Sequence, residues 1–99
     1  MFNIDPYLPE IKNICQKYDA KSLTLFGSAL TDEFDPEKSD CDFLLELNGY
    51  KKGVFRFISI KEELEQLLKR EVDLVSPRNI ENQLLKKYIY AKTRTCYAT

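Results

Sequence analysis

The sequence predicts a small α/β (α+β) domain in which a mixed β-sheet carries flanking helices. Three observations lead there: apolar residues recur at helical spacing in several stretches, short apolar β-prone runs alternate with them, and Gly, Pro and Asn punctuate the joins. Ninety-nine residues suffice for one modest core and not two, so residues 1–99 read as a single domain.

Taken in chain order, Leu8, Ile11, Ile14, Cys15 and Tyr18 mark a first amphipathic helix, with Asp5 as its N-cap and Pro6 at its first position. Ser22 to Phe26 is a short strand, ended by a Gly27-Ser28 turn that opens a short helix at Ala29. Thr31 to Ser39 is polar and contains Pro36, so it is a loop. Cys41 to Leu47 is a second strand, and Asn48 to Gly53 breaks the pattern. Phe57, Ile60, Leu64, Leu67 and Leu68 then form a helical stripe, with Glu62, Glu63, Glu65 and Lys69 around the other side. Val72 to Val75 is a third strand closed by Ser76-Pro77, and Asn79 caps a last helix carrying Ile80, Leu84, Leu85, Tyr88 and Ile89. The tail beyond it is polar and aromatic without clear period.

Composition narrows the chemistry before any motif is considered. A formal charge of −1 disfavours gripping a nucleic-acid backbone by bulk charge. No apolar stretch is long enough to cross a bilayer, and Met1 to Pro6 lacks the basic start and apolar run of a signal peptide, so the expectation is a cytoplasmic protein. The chain has no histidine, and Cys15, Cys41 and Cys96 are widely spaced. A zinc site and the Ser-His and Cys-His nucleophile pairs are thereby disfavoured, and the cysteines read as small buried hydrophobes.

What remains is chemistry on carboxylates, hydroxyls, lysines or metal, and the carboxylates are the ones that form a pattern. Asp40 and Asp42 sit at the start of the second strand, where alternation sends both to one face and Cys41 to the other, with Phe43, Leu45 and Leu47. Asp73 lies between Val72 and Leu74 in a strand too short and apolar to need a charge for structural reasons. If the two strands are neighbours, three carboxylates converge at one end of the sheet. Unit charges about 5 Å apart at an effective dielectric of about 20 repel by roughly 3 kcal/mol per pair, so such a cluster calls for a cation. Mg²⁺ suits it, because this ion takes hard oxygen ligands and is commonly completed by substrate phosphates. Gly27-Ser28 adds a strand-to-helix turn that presents backbone N–H groups and a hydroxyl to an anion. Lys38, Lys51, Lys52 and Arg78 flank this region in loops and read as solvated surface charges.

The segments Leu25-Phe26-Gly27-Ser28, Ser39-Asp40-Cys41-Asp42-Phe43-Leu44-Leu45 and Val72-Asp73-Leu74-Val75-Ser76-Pro77 together resemble the minimal nucleotidyltransferases of the polymerase β superfamily, the MNT-type antitoxins found beside HEPN toxins. The resemblance spans nearly the whole chain and implies the polymerase β-like nucleotidyltransferase fold. It further implies that Gly27 and Ser28 contact the triphosphate of ATP and that Asp40 and Asp42 bind metal. Asp73 would help hold a second Mg²⁺ ion and deprotonate the attacking hydroxyl, as in a two-metal in-line displacement. The implied reaction moves AMP to a tyrosine of a HEPN-domain toxin within a hetero-oligomer. Tyr88, Tyr90 and Tyr97 in the aromatic C-terminal segment offer this chain a partner surface, although aromatics at helical spacing more often serve a core. A non-catalytic antitoxin and a small-molecule nucleotidyltransferase that completes its site by oligomerising are the alternatives. Two departures concern phosphate grip: Ala29-Leu30-Thr31-Asp32 stands where the family commonly has arginine and glycine, and the interval from Ser28 to Asp40 is one residue longer than usual. Cys41 replaces the customary Ile or Leu on an apolar face.

Overall fold

The sheet has four strands rather than three. The structure, a computed structural model, describes all of residues 1–99. Strands β1 (Ala20–Phe26), β2 (Cys41–Leu47), β3 (Val72–Val75) and β4 (Thr93–Ala98) lie in the order β3-β2-β1-β4. The β1 strand pairs antiparallel with β2 and β4, whereas β2 and β3 are parallel, which makes the sheet mixed. Parallel neighbours need a crossover, and helix α2 (Gly53–Leu68) supplies it.

Strand alternation sorts the side chains into two faces. On one, Leu23, Leu25, Cys41, Phe43, Leu45 and Val72 are buried with Ile60, Leu64 and Leu68 of α2 and with Ile11, Ile14 and Cys15 of helix α1 (Leu8–Lys17). On the other, a small cluster of Phe26, Leu44 and Ile89 forms beneath helix α3 (Gln83–Ala91), with Val75 and Ile80 packed at its margin. All three cysteines are free, and burial pushes the thiols of Cys15 to about 12 and of Cys41 and Cys96 to about 11, so they stay protonated and inert.

Four local features differ from the sequence reading. Asp5 caps no helix: two prolines divide the N-terminal segment, so a 3₁₀ turn covers Asp5–Tyr7 and α1 starts at Leu8 with Tyr7 as N-cap. The Asp5 carboxylate instead accepts from Arg94 Nη2 of β4 at 2.6 Å. The last helix is capped by Asn82 and not Asn79, because Pro77–Asn79 forms its own 3₁₀ turn and Ile80 is extended. The Asn82 Oδ1 accepts from the N–H groups of Leu84 and Leu85 at 2.9 and 3.1 Å. The polar loop after Ser28 carries a core residue, Phe34, which is 8% exposed. Finally, the C-terminal tail is strand β4, unrecognised because it is a mostly exposed edge strand whose register shifts opposite Leu23 and Thr24, which leaves no clean apolar alternation.

Candidate functional site

Asp42 and Asp73 are register partners on the parallel β2–β3 pair, and Phe26, the last residue of β1, is the register partner of Asp42 on its other side. Three strands therefore meet at the carboxylate. The Asp42 carboxyl is pushed up to about 6, by burial first and then by the facing Asp73 and the charge of Asp40.

Gly27 follows Phe26 directly and opens the 3₁₀ turn Gly27–Leu30. Its φ of +80° lies in the left-handed region, and a Cβ built on it would stand 2.7 Å from Asp42 Oδ2. Both facts require glycine: the turn needs the conformation, and the carboxylate fills the space a side chain would take. Ser28 is half-buried; its carbonyl accepts from the Thr31 hydroxyl at 2.9 Å and the Thr31 N–H at 3.0 Å. Ala29 and Leu30 are buried in the main core, and Ala29 O accepts from Phe2 N–H at 2.8 Å. The first two positions of the departure after Gly-Ser thus serve the core.

Of the residues expected at the site, the fold joins Asp42, Asp73 and the Gly27 turn. Asp40 stands just outside β2 and acts on Asp42 through its charge. No three carboxylate or cysteine side chains close into a ready-made metal cage. A donor set of this kind fits an ion that retains waters and shares its shell with a phosphate-bearing substrate better than one enclosed by protein. The raised Asp42 carboxyl marks a place where negative charge is poorly compensated within the chain, and a divalent cation would supply that compensation.

Sequence reasoning missed the groups that set the strand mouths. Arg70 lies between two aromatic rings, its guanidinium carbon 5.0 Å from the Phe2 centroid and 4.9 Å from that of Phe34, and Nη1 donates to Ser39 O at 3.3 Å. It thereby holds the residue that precedes Asp40. Glu65 Oε2 accepts from Val72 N–H at 3.1 Å, and Glu71 O accepts from Cys41 N–H at 3.1 Å, which fixes β3 against α2 and β2. The signal available was Phe2 and Phe34, two large apolar residues in otherwise polar segments. A groove of about 380 Å³ opens elsewhere, lined by Leu45, Leu47, Tyr50, Val54, Phe57 and Arg78 among others. It lies toward the far end of β2 and holds no convergent carboxylates, in contrast to the end of the sheet where Asp42 faces Asp73.

This geometry agrees with three comparisons. The nucleotidyltransferase domain family matches residues 8–96. A protein of Methanocaldococcus jannaschii named as a protein adenylyltransferase is 35% identical over 91 residues, covering 83% of this chain and 90% of the relative. A solved minimal nucleotidyltransferase superposes with a TM-score of 0.73 at 24% identity, covering 91% of this chain and 89% of the other. A chain of the Shewanella oneidensis complex between an MNT antitoxin and a tri-AMPylated HEPN toxin superposes with a TM-score of 0.61 at 16% identity, covering 98% and 74%. The two structural likenesses are likenesses of fold.

Proposed function

From the membership of this chain in the nucleotidyltransferase domain family, which makes it a nucleotidyltransferase, we propose that it transfers AMP from ATP, with Mg²⁺, to a tyrosine of a HEPN-domain toxin and so acts as an antitoxin in a hetero-oligomer. The observation that carries this reading is the contact between turn and carboxylate: Gly27 is packed so closely on Asp42 that a Cβ would lie 2.7 Å from Oδ2. An anion held by the turn then lies beside the carboxylates, an arrangement stable only with cations between them.

In this reading Asp40, Asp42 and Asp73 hold two Mg²⁺ ions, and the Gly27-Ser28 turn holds the triphosphate through backbone N–H groups and the Ser28 hydroxyl. Bound metal supplies charge neutralisation on the triphosphate and acidifies the attacking hydroxyl. Gly27 keeps the turn free of a side chain that would crowd the phosphates, and Asp73 takes up the hydroxyl proton. The new bond joins the tyrosine oxygen to the α-phosphorus, the bond from that phosphorus to the bridging oxygen breaks, and pyrophosphate leaves. A protein acceptor is supported by the adenylyltransferase name of the 35%-identical relative, and a HEPN acceptor by the likeness to the Shewanella complex.

The test is transfer of labelled AMP to the co-expressed cognate HEPN protein with Mg²⁺ and ATP. Intact mass should rise by whole AMP units on a tyrosine, and Asp40→Asn, Asp42→Asn or Asp73→Asn should each remove the modification while the complex still forms. An unmodified partner neutralised equally by wild type and all three variants would sink the enzyme in favour of the binding-only antitoxin.

A further inference from the structure

Helix α3 is unusual for a helix that covers a sheet. Of its nine residues only Ile89 is buried, whereas Leu84 is 80% exposed, Leu85 49% and Tyr88 63%. The sequence pattern places all of these in one apolar stripe, yet the fold uses one residue and leaves the rest in solvent. Leu84 and Tyr88 are four residues apart, with Leu85 beside them, so they form a continuous patch along one side of the helix.

Charge is distributed unevenly in the same segment. Residues 77–94 hold five basic residues and one acidic, a charge of +4, whereas the remainder of the chain holds ten basic and fifteen acidic, a charge of −5. Lys86, Lys87 and Lys92 have no ion-pair partner within the chain. Lys87, three residues past Leu84, and Lys92, four past Tyr88, fall on the side of the patch and border it with unneutralised positive charge.

Position ties this surface to the chemistry. Ile89 packs on Phe26 and Leu44, which share the sheet face of Asp42, and Thr93, two residues past the helix, is the register partner of Phe26. The C-terminal end of α3 thus reaches the end of the sheet that carries the carboxylates. Tyr90 is 48% exposed on this helix, whereas Tyr97 is half-buried against the main core and lies outside the patch.

We propose that the outer face of α3, Leu84, Leu85 and Tyr88 bordered by Lys87 and Lys92, is the docking surface for the protein that presents the acceptor hydroxyl, and that it fits an apolar surface bordered by acidic residues. The proposal rests on the function proposed above and adds to it where the partner sits and what chemistry it carries. A second copy of this chain fits poorly, because an isologous pairing sets lysine against lysine across the same patch. A nucleic acid fits poorly, because two leucines lie at the centre of the patch.

The test measures affinity for the cognate HEPN protein by calorimetry at low and high salt, with MgATP binding followed separately by thermal shift. Leu84→Glu combined with Tyr88→Glu should weaken the complex at least about 30-fold, and Lys87→Glu should weaken it at low salt and reduce its salt dependence. Both variants should bind MgATP as wild type does, since these side chains lie outside the site and are exposed. Unchanged affinity in both variants overturns the proposal, as does a wild-type chain that forms no complex with the HEPN protein or that uses this face to dimerise. A wild-type complex that depends on Leu84 and Tyr88 but receives no AMP upholds the docking surface and defeats the transfer reaction instead.

Discussion

In an unfolded chain an aspartate titrates near about 4, whereas the Asp42 carboxyl in the fold keeps its proton up to about 6, through burial and the facing Asp73. A carboxyl whose proton is held more tightly in the fold contributes stability below its unfolded pKa and loses that contribution as pH rises through the folded value. Without metal, stability should therefore fall between about pH 4 and about pH 6, by about 1–2 kcal/mol once solvent screening of a half-exposed group is allowed for. Asp42→Asn should flatten this dependence, equal or exceed wild-type stability near neutral pH, and abolish transfer. Thermal melts across that pH range check the first two effects, and a variant as pH-sensitive as wild type would assign the dependence to another group. The neighbouring residue makes the opposite case. Gly27→Val would force a branched side chain into φ +80° and toward an oxygen 2.7 Å from its Cβ, which should lower stability by about 2 kcal/mol and raise the KM for ATP at least tenfold. Ser28→Ala removes one hydroxyl and should change KM far less; equal KM values for Gly27→Val and wild type would mean that the phosphates bind away from this turn.

At the scale of elements, α3 is held differently from α1 and α2. Helices α1 and α2 each bury three residues, whereas α3 buries Ile89 alone and depends on the Asn82 cap to satisfy the N–H groups of Leu84 and Leu85. Asn82→Ala removes a cap of about 1 kcal/mol. The loss should fall on α3 rather than on the whole fold, because a helix with one buried anchor can open while the main core stays intact. Hydrogen exchange should show faster exchange confined to residues 83–91, and uniform acceleration across β1 and β2 would show that α3 is part of the global unfolding unit. Strand β4 follows α3 and joins the antiparallel edge of β1, while the Asp5–Arg94 pair ties it to the N-terminus, so the two ends of the chain support each other. At the other side of the site, Arg70 binds the loop before Asp40 to the N-terminal Phe2. Asp42 thus stands on an inner strand paired on both sides, whereas Asp73 stands on the edge strand β3, held by β2 and by Glu65 of α2.

For the molecule as a whole, ligand binding and stability are linked. A site built from like charges is poorly satisfied by itself, and anything that binds only the folded state stabilises it by mass action, about 2.7 kcal/mol at a hundred times Kd. In a chain of this size each kcal/mol is worth about 4–8 °C. Saturating ATP with Mg²⁺ should raise the melting temperature by on the order of 10 °C, ATP with a chelator should raise it little, and Asp42→Asn should lose the Mg²⁺-dependent part. No difference between the Mg²⁺ and chelator melts would count against a metal shared with nucleotide.

The sequence by itself determined the elements with strong internal period and the chemistry they carry. Cys41–Leu47 and Val72–Val75 were legible to the residue, because each is an apolar run bounded by turn residues, and Asp42 and Asp73 within them, with Asp40 just before the first, stood out as charges that the strand pattern did not require. Gly27-Ser28 was legible as a strand-ending turn. Tertiary structure alone decided which strands were neighbours, and so placed Asp73 opposite Asp42 and left Asp40 at the margin. It also decided the fate of the C-terminal third. Leu84, Leu85 and Tyr88 have helical spacing, but that periodicity states only that they share a side, and the single contact of Ile89 with Phe26 and Leu44 turns that side outward. Strand β4 and the Arg70 clamp were hidden for a related reason: an exposed edge strand and an arginine between distant rings take their meaning from partners remote in the chain, and local pattern carries no record of which remote partner is met.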